Sequence, residues 1–209
     1  AYLDMTKDRL YTLPVDHPAR RSAQTAMHVI LEVLVRALAP VLAFTAEEIW
    51  QHMPARTHAS VLFATWADVD ALLGVPFDGG EQALLDDLAT LRDAAAKKIE
   101  ALRAAGGIGG SLEAEVTVHA DPALHARLAP LAAELRFYFI TSAVHLVEGG
   151  GELRLSAGHA SVEVARTTHA KCVRCWHHRE DVGAQAAHPE LCGRCVDNVD
   201  GPGETRRWF

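Results

Sequence analysis

The sequence has no run of 18 apolar residues, so it predicts no membrane-spanning helix. It also lacks the basic start and unbroken apolar core of a secretory signal, because Asp4, Lys7 and Asp8 interrupt its beginning. No methionine opens the chain, and the first residues already have the pattern of a helix. We therefore expect a cytoplasmic protein and a piece of a longer polypeptide.

The sequence also lacks an excess of positive charge. It has 20 Lys and Arg against 27 Asp and Glu, a net charge of −7. This balance argues against broad nonspecific binding of nucleic acid, which needs many cations to displace counterions. Residues 169–209 hold six basic and six acidic residues, so the rest of the chain carries the negative charge. A nucleic-acid partner, if there is one, must be recognised through a few local contacts.

The first half of the sequence has the periodicity of α-helices. Apolar residues recur at helical spacing from Pro18 to Met53, and Pro40 should end or kink this run near Ala39. Thr45, with Glu48 three residues on, predicts the cap of a new helix. Another helix is predicted over 81–105, with an apolar stripe from Leu84 to Leu102 that we interpret as core packing.

Glycine, proline and alternating residues mark the rest of the chain. Residues 54–80 are predicted to be irregular, with 61–63 as a buried point of contact, and Gly106 and Gly107 should stop the preceding helix. Alternation over 112–119 predicts a strand, and Asp121 followed by Pro122 predicts a helix start. Further strands are predicted over three ranges: 143–147, 152–156 and 161–165.

These patterns predict a mainly α-helical bundle, then a small α+β unit, then a four-cysteine zinc ribbon or finger at the C-terminus. The expected domains are residues 1–105, residues 106–167 and residues 168–209. No catalytic constellation is visible in the helical part. With 49% hydrophobic and 22% charged residues, the composition is that of a globular protein.

Cysteine is scarce, and all four cysteines form two C-x-x-C pairs: Cys172 with Cys175, and Cys192 with Cys195. Sixteen residues separate the pairs, which matches a four-cysteine zinc pattern. Two residues between cysteines let one tight turn aim both sulfurs at a point about 2.3 Å away. The sequence therefore predicts one structural zinc per chain. Four thiolates leave no open position for water, so this zinc should not catalyse a reaction.

Other interpretations of the cysteines stay open at this point. An iron–sulfur cluster also uses four thiolates. Disulfides would need an oxidising compartment, and a thioredoxin-type site needs one C-x-x-C pair after a strand rather than two in a loop-rich segment. A histidine could replace one cysteine, and four histidines lie close by in the sequence: His169, His177, His178 and His188.

The segments around the cysteines resemble a known family, the bacterial isoleucyl-tRNA synthetases. Their C-terminal zinc module is similar to four stretches here: KCVRCWH at 171–177, DVG at 181–183, HPELCGRCVDN at 188–198 and GPGETR at 201–206. The segment GGSLEA at 109–114 resembles the junction before that module. The anticodon-binding bundle of class I synthetases, which the valyl and leucyl enzymes share, is similar to three more stretches: KDRLY at 7–11, LAP at 38–40 and FTAEEIW at 44–50.

The resemblance implies a C-terminal region, with an anticodon-binding domain and a zinc-binding tail, of an ATP-dependent ligase of protein biosynthesis. The nucleotide-binding motifs of the family, His-Ile-Gly-His and Lys-Met-Ser-Lys-Ser, do not occur in this sequence, and neither does an editing domain. We therefore expect no catalytic residues and no activity from this chain alone. The implied partners are the anticodon arm of isoleucine tRNA and the catalytic domain of the parent chain, with no membrane and a monomeric state.

Loop bases of RNA are recognised by aromatic stacking and by Arg or Lys on phosphates. The candidate tRNA-binding residues are Arg174, Trp176, Arg194, Arg206, Arg207 and Trp208. Arg206 and Arg207 are favoured because an exposed chain end beside two aromatic residues suits such contacts. In the simpler interpretation, Trp176 covers the zinc site and the arginines are solvated surface.

Two other function classes are weighed against this one. A DNA-repair glycosylase can end in a similar zinc finger, but it would begin with a catalytic proline and a β-sandwich. Here Ala1 leads, and the helix content of residues 1–105 discriminates between the two. The second is a protein-interaction module that uses the Leu84 to Leu102 stripe.

Overall fold

Two units make up the fold. The computed structural model describes residues 2–54, 56–68, 71 and 79–209. The described residues of 1–20 and 79–209 form one unit, which we call the sheet unit, and those of 21–78 form the other, the helix-pair unit. Within the described residues, no helix combines the length and the apolar character needed to cross a membrane.

Helix α1 (Tyr2–Thr12) opens the sheet unit, and α2 (Pro18–Leu38) leads into the helix-pair unit, which also contains α3 (Ala43–His52) and a 3₁₀ turn (Val61–Phe63). Pro40 follows the end of α2, as predicted, since proline cannot continue the hydrogen-bond ladder. The predicted cap at Thr45 is wrong. Helix α3 already begins at Ala43, because the turn after α2 returns the backbone to helical geometry within a few residues. The residue before the helix is Leu42, whose side chain makes no capping hydrogen bond.

The core of the helix-pair unit centres on Trp50. This side chain is 1% exposed, and its indole nitrogen donates a hydrogen bond of 3.0 Å to the carbonyl of His58. The buried residues around it are Val35, Ala39, Ala46, Met53 and Val61. Of the predicted contact point at 61–63, only Val61 is buried, because the 3₁₀ turn directs Leu62 and Phe63 to solvent.

A four-stranded sheet organises the sheet unit. Its strands are β1 (Ala114–Ala120), β2 (Ala143–Glu148), β3 (Leu153–Leu155) and β4 (Gly158–Arg166), in the order β2-β1-β4-β3. Strand β1 runs parallel to β2, and β4 runs antiparallel to both β1 and β3. The alternation that predicted β1 is seen in its burial, since every second residue from Ala114 onward is fully covered. A short 3₁₀ turn (Ser111–Glu113) precedes the strand, so it starts later than predicted.

Helices cover one face of this sheet. The long helix α4 (Gly79–Ala104) contributes Leu88, Leu91 and Ala95 to the core. It ends as predicted: Gly106 has φ 74°, and the amides of Gly106 and Gly107 donate to the carbonyls of Arg103 and Leu102. This pair of hydrogen bonds is the Schellman motif, for which glycine is favoured.

The predicted helix at Pro122 forms α5 (Pro122–Leu128), where Asp121 caps the amide of Leu124 at 3.0 Å. It continues as a 3₁₀ turn (Ala129–Leu131) and then α6 (Leu135–Phe139) rather than as one helix. The four leucines of its predicted stripe are all buried: Leu124, Leu128, Leu131 and Leu135. The chain then passes through a two-stranded ribbon, β5 (Ala170–Lys171) and β6 (His178–Arg179), and ends after helix α7 (Gly193–Asp200).

The predicted fold class is confirmed: helices dominate, a small mixed sheet follows, and four cysteines cluster near the C-terminus. The three predicted domains, 1–105, 106–167 and 168–209, stay a prediction. The predicted irregular segment 54–80 falls partly outside the described residues, since 55, 69, 70 and 72–78 are not described.

Trp50 offers a test of the helix-pair unit. Trp50→Ala should destabilise it by about 3–5 kcal/mol, because a large buried ring is lost and leaves a cavity. Trp66→Ala is the matched control, since that ring is 75% exposed and its loss should change little. Urea unfolding followed by circular dichroism measures both, and equal effects of the two variants would contradict the assigned core.

Candidate metal centre and nucleic-acid interface

The four cysteines converge in the sheet unit. All four are buried, and their sulfur atoms lie within 4.8 Å of one another. The sulfurs of Cys175 and Cys192 are 3.8 Å apart. That separation equals the edge of a tetrahedron whose centre lies about 2.3 Å from each sulfur, the geometry of a zinc–thiolate site. No disulfide joins any two of these cysteines, so the disulfide interpretation is wrong.

The first pair is shaped by a tight turn that we call the first knuckle (residues 172–177). The amide of Trp176 donates to the carbonyl of Cys172 at 2.9 Å, and the amide of Cys172 donates to the carbonyl of His177 at 2.9 Å. Trp176 takes a left-handed conformation with φ 66°, which few non-glycine residues adopt. Strands β5 and β6 flank the knuckle and pair with each other, which holds its two ends together.

The second pair begins at the start of α7, where Cys192 precedes the helix. The amide of Cys192 points to the sulfur of Cys172 at 3.4 Å. The amide of Gly193 donates to Asp181 at 3.2 Å, and Arg179 binds the same carboxylate at 2.9 and 3.2 Å. This Arg179–Asp181 pair therefore fixes the orientation of the second knuckle (residues 192–195) from outside the cluster.

The donor set decides which ion suits the cluster. Hydrogen bonds from Cys175 and Cys195 lower the pKa of Cys192, whereas hydrogen bonds with Cys175 and Cys192 raise the pKa of Cys195. Thiolates select soft or borderline metals such as zinc. Of the described residues, the only group of three or more close metal-binding side chains is the four cysteines, and it includes none of the four neighbouring histidines.

An ion-pair network joins the zinc-binding part of the chain to α1. Arg194 on α7 binds both oxygens of Asp8 on α1, each at 2.8 Å. Arg206 reaches the same carboxylate at 2.7 Å. Glu204 accepts from Arg194 at 2.8 Å and from Arg206 at 3.4 Å, so two carboxylates neutralise two guanidinium groups.

The network is desolvated. The side chains of Arg194 and Arg206 are 5% and 0% exposed, and that of Asp8 is 12% exposed. The guanidinium of Arg206 lies 3.3 Å from the centre of the Phe137 ring, and that of Arg194 lies 5.1 Å from it. Burial raises the pKa of Asp8, but hydrogen bonds and charge from Arg194 and Arg206 outweigh it and hold the pKa well below its usual range.

The predicted tRNA-binding residues fall into two groups. Arg194 and Arg206 are buried in the network, so the expected exposure of Arg206 is wrong: Asp8 and Glu204 draw its guanidinium inward. The other four reach the surface to different degrees: half-buried Arg174, and exposed Trp176, Arg207 and Trp208.

Arg174 and Trp176 line a cleft of about 380 Å³ between α1 and the first knuckle, together with Tyr11 and other residues. Arg174 donates to the carbonyl of Thr12 at 2.6 Å, which holds it at this edge. Trp176 is 60% exposed, and the ammonium of Lys171 lies 5.4 Å from its ring centre. Sequence reasoning missed Asp8 and Glu204, and for Asp8 no local pattern could mark it as the partner of arginines 186 and 198 residues along the chain.

Comparisons with known proteins fit both parts of this geometry. A family described as "Anticodon-binding domain of tRNA ligase" matches residues 1–118, and one described as "Zinc finger found in FPG and IleRS" matches residues 171–198. The two families thus cover the helical part of the chain and both knuckles. Together with the cysteine cluster, the zinc-finger match supports one structural zinc ion in this chain.

Several curated relatives align with the whole chain. The isoleucine–tRNA ligase of Xanthomonas campestris pv. campestris (strain B100) is 51% identical over 209 residues. Those of Stenotrophomonas maltophilia (strain R551-3) and Xylella fastidiosa (strain M12) are 49% and 50% identical. Each alignment covers 100% of this chain but 21% of the relative, so the chain spans about a fifth of the length of these proteins.

Replacing one cysteine tests the metal centre. We expect about one zinc per chain, and Cys192→Ser should release it and loosen residues 169–209 while the helix-pair unit keeps its structure, since metal binding and local folding are coupled. Val173→Ser, at an exposed position of the first knuckle, is the control and should retain zinc. Metal analysis after dialysis provides the measurement, and full zinc retention by Cys192→Ser would exclude that residue as a ligand.

Asp8 gives a pH-dependent prediction. Its pKa is lowered by folding, so its contribution to stability is present above the ordinary aspartate value of about 4 and is lost as the pH falls below it. Asp8→Asn leaves two buried guanidinium groups short of a partner and should destabilise the sheet unit by about 3–5 kcal/mol at neutral pH. On acidification, the free energy of unfolding of the variant should also fall by less than that of the wild type.

The control is Asp4→Asn, which removes an exposed carboxylate of the same helix that pairs with Lys7 at 2.8 Å. It should change stability little, because exposed ion pairs are screened by solvent. Urea unfolding at pH 7 and below pH 4 compares the variants. An Asp8→Asn protein with wild-type stability at pH 7 would refute the role given to this network.

Proposed function

The chain belongs to the family of anticodon-binding domains of tRNA ligases, and from that premise we propose that it is the tRNA-binding C-terminal part of an isoleucine–tRNA ligase. In this proposal it recognises the anticodon arm of isoleucine tRNA. The observation that carries the proposal is the alignment of all 209 residues, at 51% identity, with a protein of that name. The zinc-finger match at residues 171–198 agrees with it.

We propose Cys172, Cys175, Cys192 and Cys195 as the four zinc ligands. Their mutual distances and their burial support a closed site. A closed thiolate site has no position for substrate or water, so the zinc supplies rigidity rather than chemistry. Its part in the function is to fix the first knuckle, from which Trp176 projects.

The tRNA contacts in this proposal come from side chains that the fold leaves accessible. Trp176 offers an exposed ring for stacking, and Arg174 and Arg207 offer cations for phosphates. Arg194 and Arg206, from the same predicted set, are engaged inside the chain and hold the surface in place. With few cations at the surface and a net charge of −7, binding should be local and only weakly dependent on salt.

The role of the chain in the larger ligase follows from this recognition. It would position isoleucine tRNA for ATP-dependent aminoacylation by a catalytic domain of the parent, in the cytoplasm. A monomeric state stays a prediction.

The two other function classes are not favoured. Helices α1 to α4 occupy most of the described residues of 1–105, where a glycosylase would have a β-sandwich. The stripe that an interaction module would need is largely internal, since Leu88, Leu91 and Ile99 are buried in the chain's own core.

Trp176 tests the proposal directly. The chain should bind isoleucine tRNA, and Trp176→Ala should weaken binding by roughly 5- to 150-fold, because stacking of one base contributes about 1–3 kcal/mol. Arg154→Ala, an exposed change on strand β3, is the control for a surface substitution outside the knuckles. Filter binding or fluorescence anisotropy at one fixed salt concentration measures the affinities, and the zinc content of each variant is measured in parallel.

A second tRNA separates recognition from general affinity. Isoleucine tRNA with an altered anticodon loop should bind the wild-type chain less tightly than the natural sequence does. Equal binding of the two tRNAs would contradict anticodon recognition. A Trp176→Ala protein with full zinc and unchanged affinity would remove Trp176 from the interface.

A further inference from the structure

Glu134 is a buried acidic residue with no part in the zinc cluster. It lies just before α6 and is 8% exposed. Its carboxylate accepts three consecutive backbone N–H groups, from Arg207 at 2.7 Å and from Trp208 and Phe209 at 2.9 Å each. Successive amides that converge on one anion form a nest, an arrangement that proteins commonly use to bind phosphate. Here the protein supplies the anion itself.

The nest is closed by Arg206. Its Nε atom donates to the carbonyl of Phe209 at 2.6 Å and lies 3.7 Å from Glu134. The ring of Phe209 packs 5.1 Å from that of Tyr138, at the edge of the main core. Residues 206–209, which we call the terminal turn, are therefore fixed at both ends.

This anchoring decides where the intervening side chains point. With their amides directed at Glu134, Arg207 and Trp208 remain exposed, and Trp208 has 44% of its surface accessible. The guanidinium of Arg207 lies over one face of the Trp208 ring, 4.7 Å from its centre. An arginine stacked on an aromatic ring offers a planar surface and a positive charge together, which match one unpaired base and its phosphate.

We propose that Glu134 is a positioning residue that presents Arg207 and Trp208 together as a binding site for a single-stranded nucleotide and its phosphate. The proposal rests on the proposed function, because the nucleotide belongs to isoleucine tRNA. A carboxylate is required at this position, because hydrogen bonds to an ionised acceptor are about twice as strong as neutral ones. A glutamine amide would also replace one accepting oxygen by an NH2 group, which is itself a donor and cannot accept from the backbone N–H groups.

The test is Glu134→Gln, with Glu148→Gln at the exposed end of β2 as the matched control. Hydrogen exchange of the amides of 207–209 should accelerate in Glu134→Gln only, while zinc stays bound. The affinity for isoleucine tRNA should fall about 10-fold, the size expected for one stacked base, and should match that of the variant Arg207→Ala/Trp208→Ala. If Glu134→Gln does not fold, Glu134→Asp, which keeps the charge and shortens the side chain, takes its place with a smaller loss expected.

A double-mutant cycle separates positioning from simple stabilisation. In the Arg207→Ala/Trp208→Ala background, the substitution at Glu134 should cause no further loss of affinity, because its effect acts through those two side chains. A loss of equal size in both backgrounds, or wild-type affinity of Glu134→Gln beside weak binding of Arg207→Ala/Trp208→Ala, would overturn the proposal. Absence of tRNA binding by the wild-type chain would instead overturn the proposed function itself.

Discussion

The carboxylate of Asp8 is the point on which the rest of the sheet unit depends. It lies on the first helix and binds two arginines, Arg194 and Arg206, that follow it by 186 and 198 residues. Both guanidinium groups are buried, so each needs a compensating charge at hydrogen-bonding distance. Helix α7, which carries the second pair of cysteines, and the terminal turn are therefore tied to the same side chain. The carboxylate of Asp8 thus helps to hold both the metal cluster and the surface proposed for RNA in position.

Charge balance explains why so many arginines can lie inside a small unit. Burial lowers the pKa of Arg136 to about 10, and the positive charges of Arg179 and Arg194 add to this effect. For Arg194, burial acts in the same direction, but the hydrogen bonds that it donates to Asp8 outweigh this effect and raise its pKa. The charge of Cys175 also raises it. Zinc bound by four thiolates would add a net charge of −2 to this region. Carboxylates and thiolates together can thus neutralise a group of cations that would repel one another if they stood alone.

Sequence reasoning succeeded where the cause is local. Two residues between cysteines fix a tight turn, a proline ends a helix, and aspartate before proline caps the next one; each of these depends on neighbours a few residues away. It failed at Thr45, because the turn after Pro40 let α3 begin before the capping residue. It also placed Arg206 at the surface, because the acidic partners that draw it inward include Asp8 at the other end of the chain. Pairing at such a distance leaves no periodic signal in a single sequence.

Arg206 and Arg207 show how adjacent residues of one type acquire opposite roles. The guanidinium of Arg206 lies against Phe137 and faces Asp8, whereas Arg207 is exposed beside Trp208. Composition and spacing cannot distinguish them, since both are arginines at the end of the same segment. The difference arises from the backbone: its amides at 207–209 are directed at Glu134, and in this conformation the side chains of Arg207 and Trp208 are exposed. In a chain with a net charge of −7, a cation remains available for RNA only where no internal carboxylate engages it. The acidic residues of the interior therefore determine which basic residues remain available for the proposed interface.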